Sequence, residues 1–333
     1  MTLITPSLLN KEGLFIYTVS MDTILDYVAR IVEPEERQGS AVLATQEYIC
    51  SVLERYKIPY ILNSFSAEVP RTRTAFLEAD GVMIPCKGCG LMSGEFEKQS
   101  PVISSPTPVD VIIEEPLIAF NPECEVISRG EYFFAPALAI ARKDAERVKN
   151  ASSVHGKVEV ERKQYEFSHI LVGNMENPRA VVFAHYDSLA KGAFDNASGS
   201  ATVLHAIVNN PSLLSSTLFV FDPCEELSFE KPTYWGYGFR VFEEKYYPLL
   251  QGAEMIIPVD GVGNGPVHHD TNSEILHLAF PLKNSKALGP KISTLYADIG
   301  ALPSIYHSPA DTIENLKEEH LLEAEKKLVE LIR

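Results

Sequence analysis

Residues 181–188 read Val181-Val182-Phe183-Ala184-His185-Tyr186-Asp187-Ser188, and after a short link comes Gly192-Ala193-Phe194-Asp195-Asn196-Ala197-Ser198-Gly199. Four consecutive apolar residues with no polar alternation suit a short strand buried on both faces, and such strands belong to parallel sheets covered by helices. A helical segment follows at 200–208. The unit then recurs: an apolar run at 218–221 precedes an aromatic stretch and a helix at 238–250, and a third run lies at 255–259. Residues 302–306 read as a fourth strand, and a strongly periodic helix at 314–332 closes the chain. This alternation predicts an α/β fold, a mainly parallel mixed sheet flanked by helices.

Upstream, residues 21–32 and 41–56 carry apolar residues at helical spacing, separated by the polar stretch 33–40. Between about 66 and 167 the character changes. Short alternating runs (75–79, 109–115, 132–140, 157–160) are broken by Pro and Gly, with a Ser/Pro-rich loop at 97–108 and one short helix at 143–149. The expected organisation is an α/β domain built from 1–65 and 168–333, with a β-rich domain, 66–167, inserted. A chain of 333 residues accommodates two such units.

Composition narrows the function. Hydrophobic residues make up 45% and charged residues 22%, so a sizeable core is available. The net charge of −16 argues against a nucleic-acid partner, and no stretch approaches the roughly 20 apolar residues of a membrane span. Residues 1–21 contain no apolar run of signal-peptide length, which predicts a cytoplasmic protein. Five cysteines, an odd number in a long chain, argue against a disulfide framework. Cys86-Lys87-Gly88-Cys89 reads as a turn with two reduced thiols rather than a zinc knuckle, since no second pair lies near it.

The predicted strand ends share chemistry. The first runs into His185 and Asp187, the second into Glu225-Glu226, the third into Asp260 and the fourth into His307, while Asp195 precedes a helix. Each has an ordinary explanation alone: Asp195 would cap its helix, and Asp311 with Glu314 would form a capping box. Ligands of open α/β sheets bind outside the carboxyl ends of strands, so together these side chains form a metal-ligand set on one rim. Imidazoles with carboxylates and no thiolate suit zinc, with cobalt or manganese as alternatives. His185, Asp195, Glu226, Asp260 and His307 balance a pair of divalent ions when one hydroxide joins the three carboxylates. Glu225, beside a ligand but not needed for charge, then takes the place of a general base, and Asp187 that of an acceptor fixing the His185 tautomer.

These motifs, with Ala184-His185-Tyr186-Asp187-Ser188, Gly192–Gly199, Glu225-Glu226, Val259-Asp260 and Tyr306-His307-Ser308-Pro309-Ala310-Asp311-Thr312, resemble the co-catalytic di-zinc aminopeptidases. That family is bacterial leucyl-aminopeptidase-like and related to glutaminyl cyclase and the glutamate carboxypeptidase/transferrin-receptor group. Weaker likenesses are Arg37-Gln38-Gly39-Ser40 to the break between the family's first helices, and residues 134–148 to the end of a protease-associated insert.

The resemblance implies a zinc-exopeptidase fold with two Zn2+. His185 and Asp260 would hold one ion and Glu226 and His307 the other. Asp195 would bridge them ahead of an often cis peptide, with Glu225 as catalytic base. Peptides with a free N-terminus are the implied substrates; self-association is left open. His185 and Asp195 are 10 apart and Asp260 and His307 47 apart, which leaves no room for the domain or dimerisation lid of larger relatives.

The run after Glu226 departs from the family. Tyr234, Trp235, Tyr237 and Phe239 there are candidates for a substrate-pocket wall. His268 and His269 are expected to be exposed. The alternatives are a carboxypeptidase or glutaminyl-cyclase-like acyl-transfer enzyme on the same site, and a non-catalytic binding module. A carboxypeptidase needs a cation for its substrate, for which Arg240, Lys231 and Lys191 are the nearest in sequence.

Overall fold

A computed structural model describes residues 22–106, 113–271, 276 and 278–333. The expectations for residues 1–21, and for the run 109–115 up to residue 112, lie outside the described residues. The fold is of the expected α/β class. A mixed sheet runs in the order Met255–Pro258, Ala180–His185, Thr217–Asp222, Val154–Gly173, Tyr60–Ala79, Val82–Ile84, and Gly94–Glu97 pairs with Val154–Gly173. The first three strands are parallel to one another; the pairings beyond them are antiparallel.

The three parallel strands are the wholly apolar runs, and both their faces are covered. Val182 and Ala184 face a core built with Ile24–Ile31, Ser198–Asn209 and Glu318–Ile332, while Val181 and Phe183 face a second core under Tyr237–Gly252. Phe183 packs against Phe239, Phe242 and Phe280 with ring centroids 5.7, 5.1 and 4.8 Å away, and its burial contributes about 3 kcal/mol. Ile24–Ile31 opens on a capping box in which the Thr23 hydroxyl accepts from Asp26 N and the Asp26 carboxylate accepts from Thr23 N.

Two elements differ from the sequence reading in length. Tyr60–Ala79 and Val154–Gly173 are continuous 20-residue strands paired along their lengths, with one irregularity between Thr72 and Thr74. The runs at 75–79 and 157–160 are their far ends, and positions 66 and 167 fall inside them. Between their buried ends these strands run through polar stretches, Arg71–Thr74 and Glu161–Gln164, which broke the apolar signal into pieces. A smaller sheet, Cys86–Gly88, Ala137–Ile140, Leu117–Phe120 and Val102–Ser104, completes this region beside the helix Arg142–Asn150. Cys86 therefore begins a strand rather than a turn. All five cysteines are free, and burial pushes the Cys86 thiol up to about 11.

Residues 302–306 are not a strand. Ile299–Ala301 and Leu302–Ile305 form short helical turns, with Pro303 in the first turn, where its missing N–H costs nothing; a proline cannot donate to a ladder. The extended segment here is Thr294–Tyr296, which pairs antiparallel with His268–Asp270. The last helix begins at Glu318, after a 3-10 turn at Ile313–Asn315. No helix among the described residues is long and apolar enough to cross a membrane.

Candidate metal centre

Parallel register brings the first ligands together. Asp222 lies opposite His185 and Pro258 opposite Phe183, so the three strands end on one edge and deliver His185, the turn to Glu225-Glu226, and Asp260 side by side. Asp195 enters from the turn Ala193–Ala197, with a cis bond between Asp195 and Asn196. The Asn196 amide donates to Val259 O at 2.8 Å, and its oxygen accepts from Gly199 N at 3.0 Å and Gly261 N at 3.2 Å, joining this turn to the Asp260 strand end. A side chain at Gly199 would meet the Asn196 oxygen at 2.3 Å, so glycine is required there. Asp311 does not cap a helix; its carboxylate accepts from Phe194 N and Asp195 N at 2.8 and 3.0 Å.

Two groups able to hold a metal ion result, each with its candidate donor atoms mutually within 4.8 Å: His185, Asp195 and Asp260, and Asp195, Glu226 and His307. His185 Nε2 is 3.3 Å from Asp195 Oδ1 and 3.5 Å from Asp260 Oδ1. His307 Nε2 is 3.5 Å from Asp195 Oδ2 and 2.7 Å from Glu226 Oε2. The two oxygens of Asp195 thus serve different groups. His185 Nε2, His307 Nε2 and Glu226 Oε1 are buried and have no hydrogen bond. Buried polar atoms are ordinarily satisfied, and imidazole nitrogens converging with carboxylates are what a zinc ion takes as ligands, so the residues fit the metal.

Crowding of like charges shows in the proton affinities. Burial, aided by Glu226 and opposed by His185, raises the Glu225 carboxyl well above its usual range. Burial likewise pushes Glu226 up to about 7. At His307 burial opposes the charge, but Glu226 and Asp195 prevail and push the imidazole up to about 10. Asp195 goes the other way: burial would raise it, yet the two imidazoles beside it hold it below the usual carboxylate range. Such perturbation by desolvation and neighbouring charge marks functional sites.

Asp187 has a wider part than orienting an imidazole. Its Oδ1 is 3.3 Å from His185 Nδ1, but its hydrogen bonds are accepted from Glu225 N at 3.1 Å, Glu226 N at 3.0 Å and the Gln38 amide at 3.1 Å. It ties two strand ends together. Arg37 entered the sequence reading only as part of a polar break between helices. Its buried guanidinium donates to the carbonyls of Tyr186, Lys191 and Gly192, clamping the loop between His185 and Asp195.

Beside the ligands lies a cavity of about 220 Å³ lined by Tyr234, Trp235, Leu278, Leu302 and Tyr306 among others, with Glu225 also in its wall. Of the aromatic candidates, Tyr234 and Trp235 face it. Tyr237 points instead to Ser66 O, and Phe239 is buried against Phe183, because both lie on the helix that covers the far side of the sheet. Arg240 is spent on the carbonyls of Trp235 and Thr233, and Lys231 lies over the Phe134 ring. His268 and His269 lie on a short strand, with His269 beside Ser293 Oγ at 2.8 Å, outside both ligand groups.

The fold is of the zinc-exopeptidase type, and the two side-chain groups are of the kind that holds metal ions. The family model for Peptidase family M28 matches residues 169–274, a span holding five of the site carboxylates and His185 but ending before His307. The resemblance drawn from the sequence motifs is borne out. No curated protein matches the chain by sequence. The fold is similar to that of a zinc aminopeptidase from Bacillus subtilis, with 15% identity over 92% of either chain and a TM-score of 0.66. A Peptidase M28 precursor from Shewanella amazonensis gives 15% identity, 94% of this chain, 92% of the other and 0.65. Porphyromonas gingivalis glutaminyl cyclase is similar at 13% identity, 93% of this chain, 96% of the other and 0.52.

Proposed function

We propose that the chain is a zinc-dependent aminopeptidase, cleaving the N-terminal bond of peptides and holding two ions through His185, Asp195 and Asp260 and through Asp195, Glu226 and His307. One observation carries this reading: Asp195 offers separate oxygens to two imidazoles whose buried inner nitrogens have no hydrogen bond. Zinc bound there supplies Lewis acidity toward a carbonyl and lowers the pKa of water.

The chain's own groups do the rest. Glu225 stands in the cavity wall, bound through its backbone to Asp187 and outside both ligand groups. As general base it takes the proton from the attacking water and hands it to the leaving amine. The substrate's ammonium is favoured beside the cluster of carboxylates. Its first side chain enters the cavity, whose aromatic and aliphatic walls favour a large apolar residue. A carboxypeptidase would need a cation for the substrate carboxylate. The described residues lining the cavity include no lysine or arginine, which favours the aminopeptidase.

Aminoacyl-p-nitroanilides and short peptides, free or N-acetylated, test the proposal. Free leucyl or phenylalanyl substrates should be hydrolysed and acetylated ones spared, with loss on chelation and recovery on zinc add-back. Shortening of N-blocked peptides from their C-termini would overturn it.

A further inference from the structure

His307 is the ligand least supported by its own surroundings in sequence. It leaves the helical turn Leu302–Ile305 in a left-handed conformation, φ 47°, which side-chain-bearing residues seldom adopt. A ligand held there by local structure alone would be poorly placed. Its support comes from the β-rich segment far upstream. The Asn121 amide donates to Pro303 O at 2.7 Å, and the Ser128 hydroxyl donates to Tyr306 O at 2.7 Å. Arg129 N donates to His307 O at 3.1 Å, and His307 Nδ1 lies 3.1 Å from Arg129 O. Asn121 also donates to the Ser128 hydroxyl at 3.1 Å, so the three form one brace.

The contact with Arg129 O has a chemical consequence. A carbonyl only accepts, so Nδ1 must carry a proton toward Arg129 O, and Nε2 is the nitrogen turned to Asp195 and Glu226, where it would offer its lone pair to an ion. Arg129 is itself held fast: its guanidinium, 7% exposed, binds the carboxylate of Glu36 and the hydroxyl of Tyr132. Tyr132 N in turn donates to the hydroxyl of Tyr234, a wall of the cavity.

We infer that the inserted β-rich segment is a working part of the metal centre. Asn121, Ser128 and Arg129 are positioning residues that fix His307, and thereby set the affinity of the ion shared by Glu226 and His307. This rests on the metallopeptidase reading and deepens it. The brace acts on one of the two ions only, since His185, Asp195 and Asp260 receive none of these bonds.

The test is calorimetric titration of zinc into the full-length protein after chelation. Wild type should show two sites. In Ser128→Ala, and more so in Ser128→Ala with Asn121→Asp, one site should weaken about 10- to 100-fold, the range for losing outer partners of a metal ligand. It should be the same site that Glu226→Gln removes, and the other should be unchanged. Ser128→Thr, which keeps the hydroxyl, should restore it. Ser93→Ala, which deletes a hydroxyl bonded to Val160 in the same segment, should leave both sites alone. Should the double variant fail to melt cooperatively, Ser128→Ala is read by itself. Equal weakening of both sites, or no weakening in a folded variant, overturns the inference while wild-type zinc uptake leaves the function standing. A wild type that takes up no zinc overturns both.

Discussion

The guanidinium of Arg37 meets the carbonyl of Gly192 at 3.0 Å in the interior beneath the ligands, and a side chain at residue 192 would come as close as 3.0 Å to the same nitrogen. Burial pulls Arg37 down to about 10, with Asp187 and Asp311 opposing, so it stays charged at neutral pH. A cation placed there offsets carboxylates that do not themselves ligate, and it holds the loop whose ends carry His185 and Asp195.

Arg37→Met should therefore cost about 2–4 kcal/mol, because three buried carbonyls lose their donor. Chemical denaturation with an unchanged slope measures it. Arg37→Lys should fall between, since one ammonium cannot reach all three carbonyls from the same position. Equal stability of the Arg37→Met variant and wild type would show that the clamp is dispensable.

Glu225→Gln should keep zinc content and melting behaviour while kcat falls about 10²–10⁴-fold, the usual worth of a positioned base. Atomic-emission metal analysis beside single-turnover kinetics separates the two properties. Near-normal turnover would remove Glu225 from the role of base.

Leu302→Trp should narrow the cavity and reverse its preference. The ratio of kcat/KM for leucyl over alanyl substrates should drop about 10-fold or more, on the scale of one or two methylenes in an apolar pocket. If the ratio stays put, the first side chain binds elsewhere.

In the metal-free protein, stability should fall as pH rises. Burial raises Glu226 from 4.5 to about 7, and at His307 the carboxylates outweigh burial and raise it from 6.5 to about 10. Both groups hold their proton more tightly folded than unfolded, so their contribution is complete at low pH and disappears across the window from 4.5 to about 10. The chelated protein should melt lower at about pH 8.5 than at about pH 6. Zinc must displace those protons, so its affinity should climb over the same window, with proton release visible as a buffer-dependent binding heat. A chelated protein that gains stability towards alkaline pH would contradict this.

Much of the site was legible because strand and turn chemistry coincide. Apolar runs ending in His185, Glu225-Glu226 and Asp260 imply parallel strands with a common edge, and the register confirms that they share one. His307 was legible as a candidate ligand but not as to its support. Four or five apolar residues look alike in a short strand and a helical turn, and only Pro303 argued for the turn. Arg37 was hidden because arginine is ordinarily exposed, and nothing adjacent announces three carbonyls brought from residues 186–192. The long strands were hidden for the opposite reason: outside the cores their outward residues are polar, so the apolar alternation fades while the pairing continues.

That long pairing limits how the protein can breathe. Tyr60–Ala79 and Val154–Gly173 carry the β-rich segment on a ribbon paired along its length but for one irregularity between Thr72 and Thr74, so swinging the segment aside would mean shearing a ladder of backbone bonds. Under the proposed function a peptide would be admitted at the rim around Trp235 and Ile299, and excising residues 66–167 would remove or truncate four strands of the central sheet.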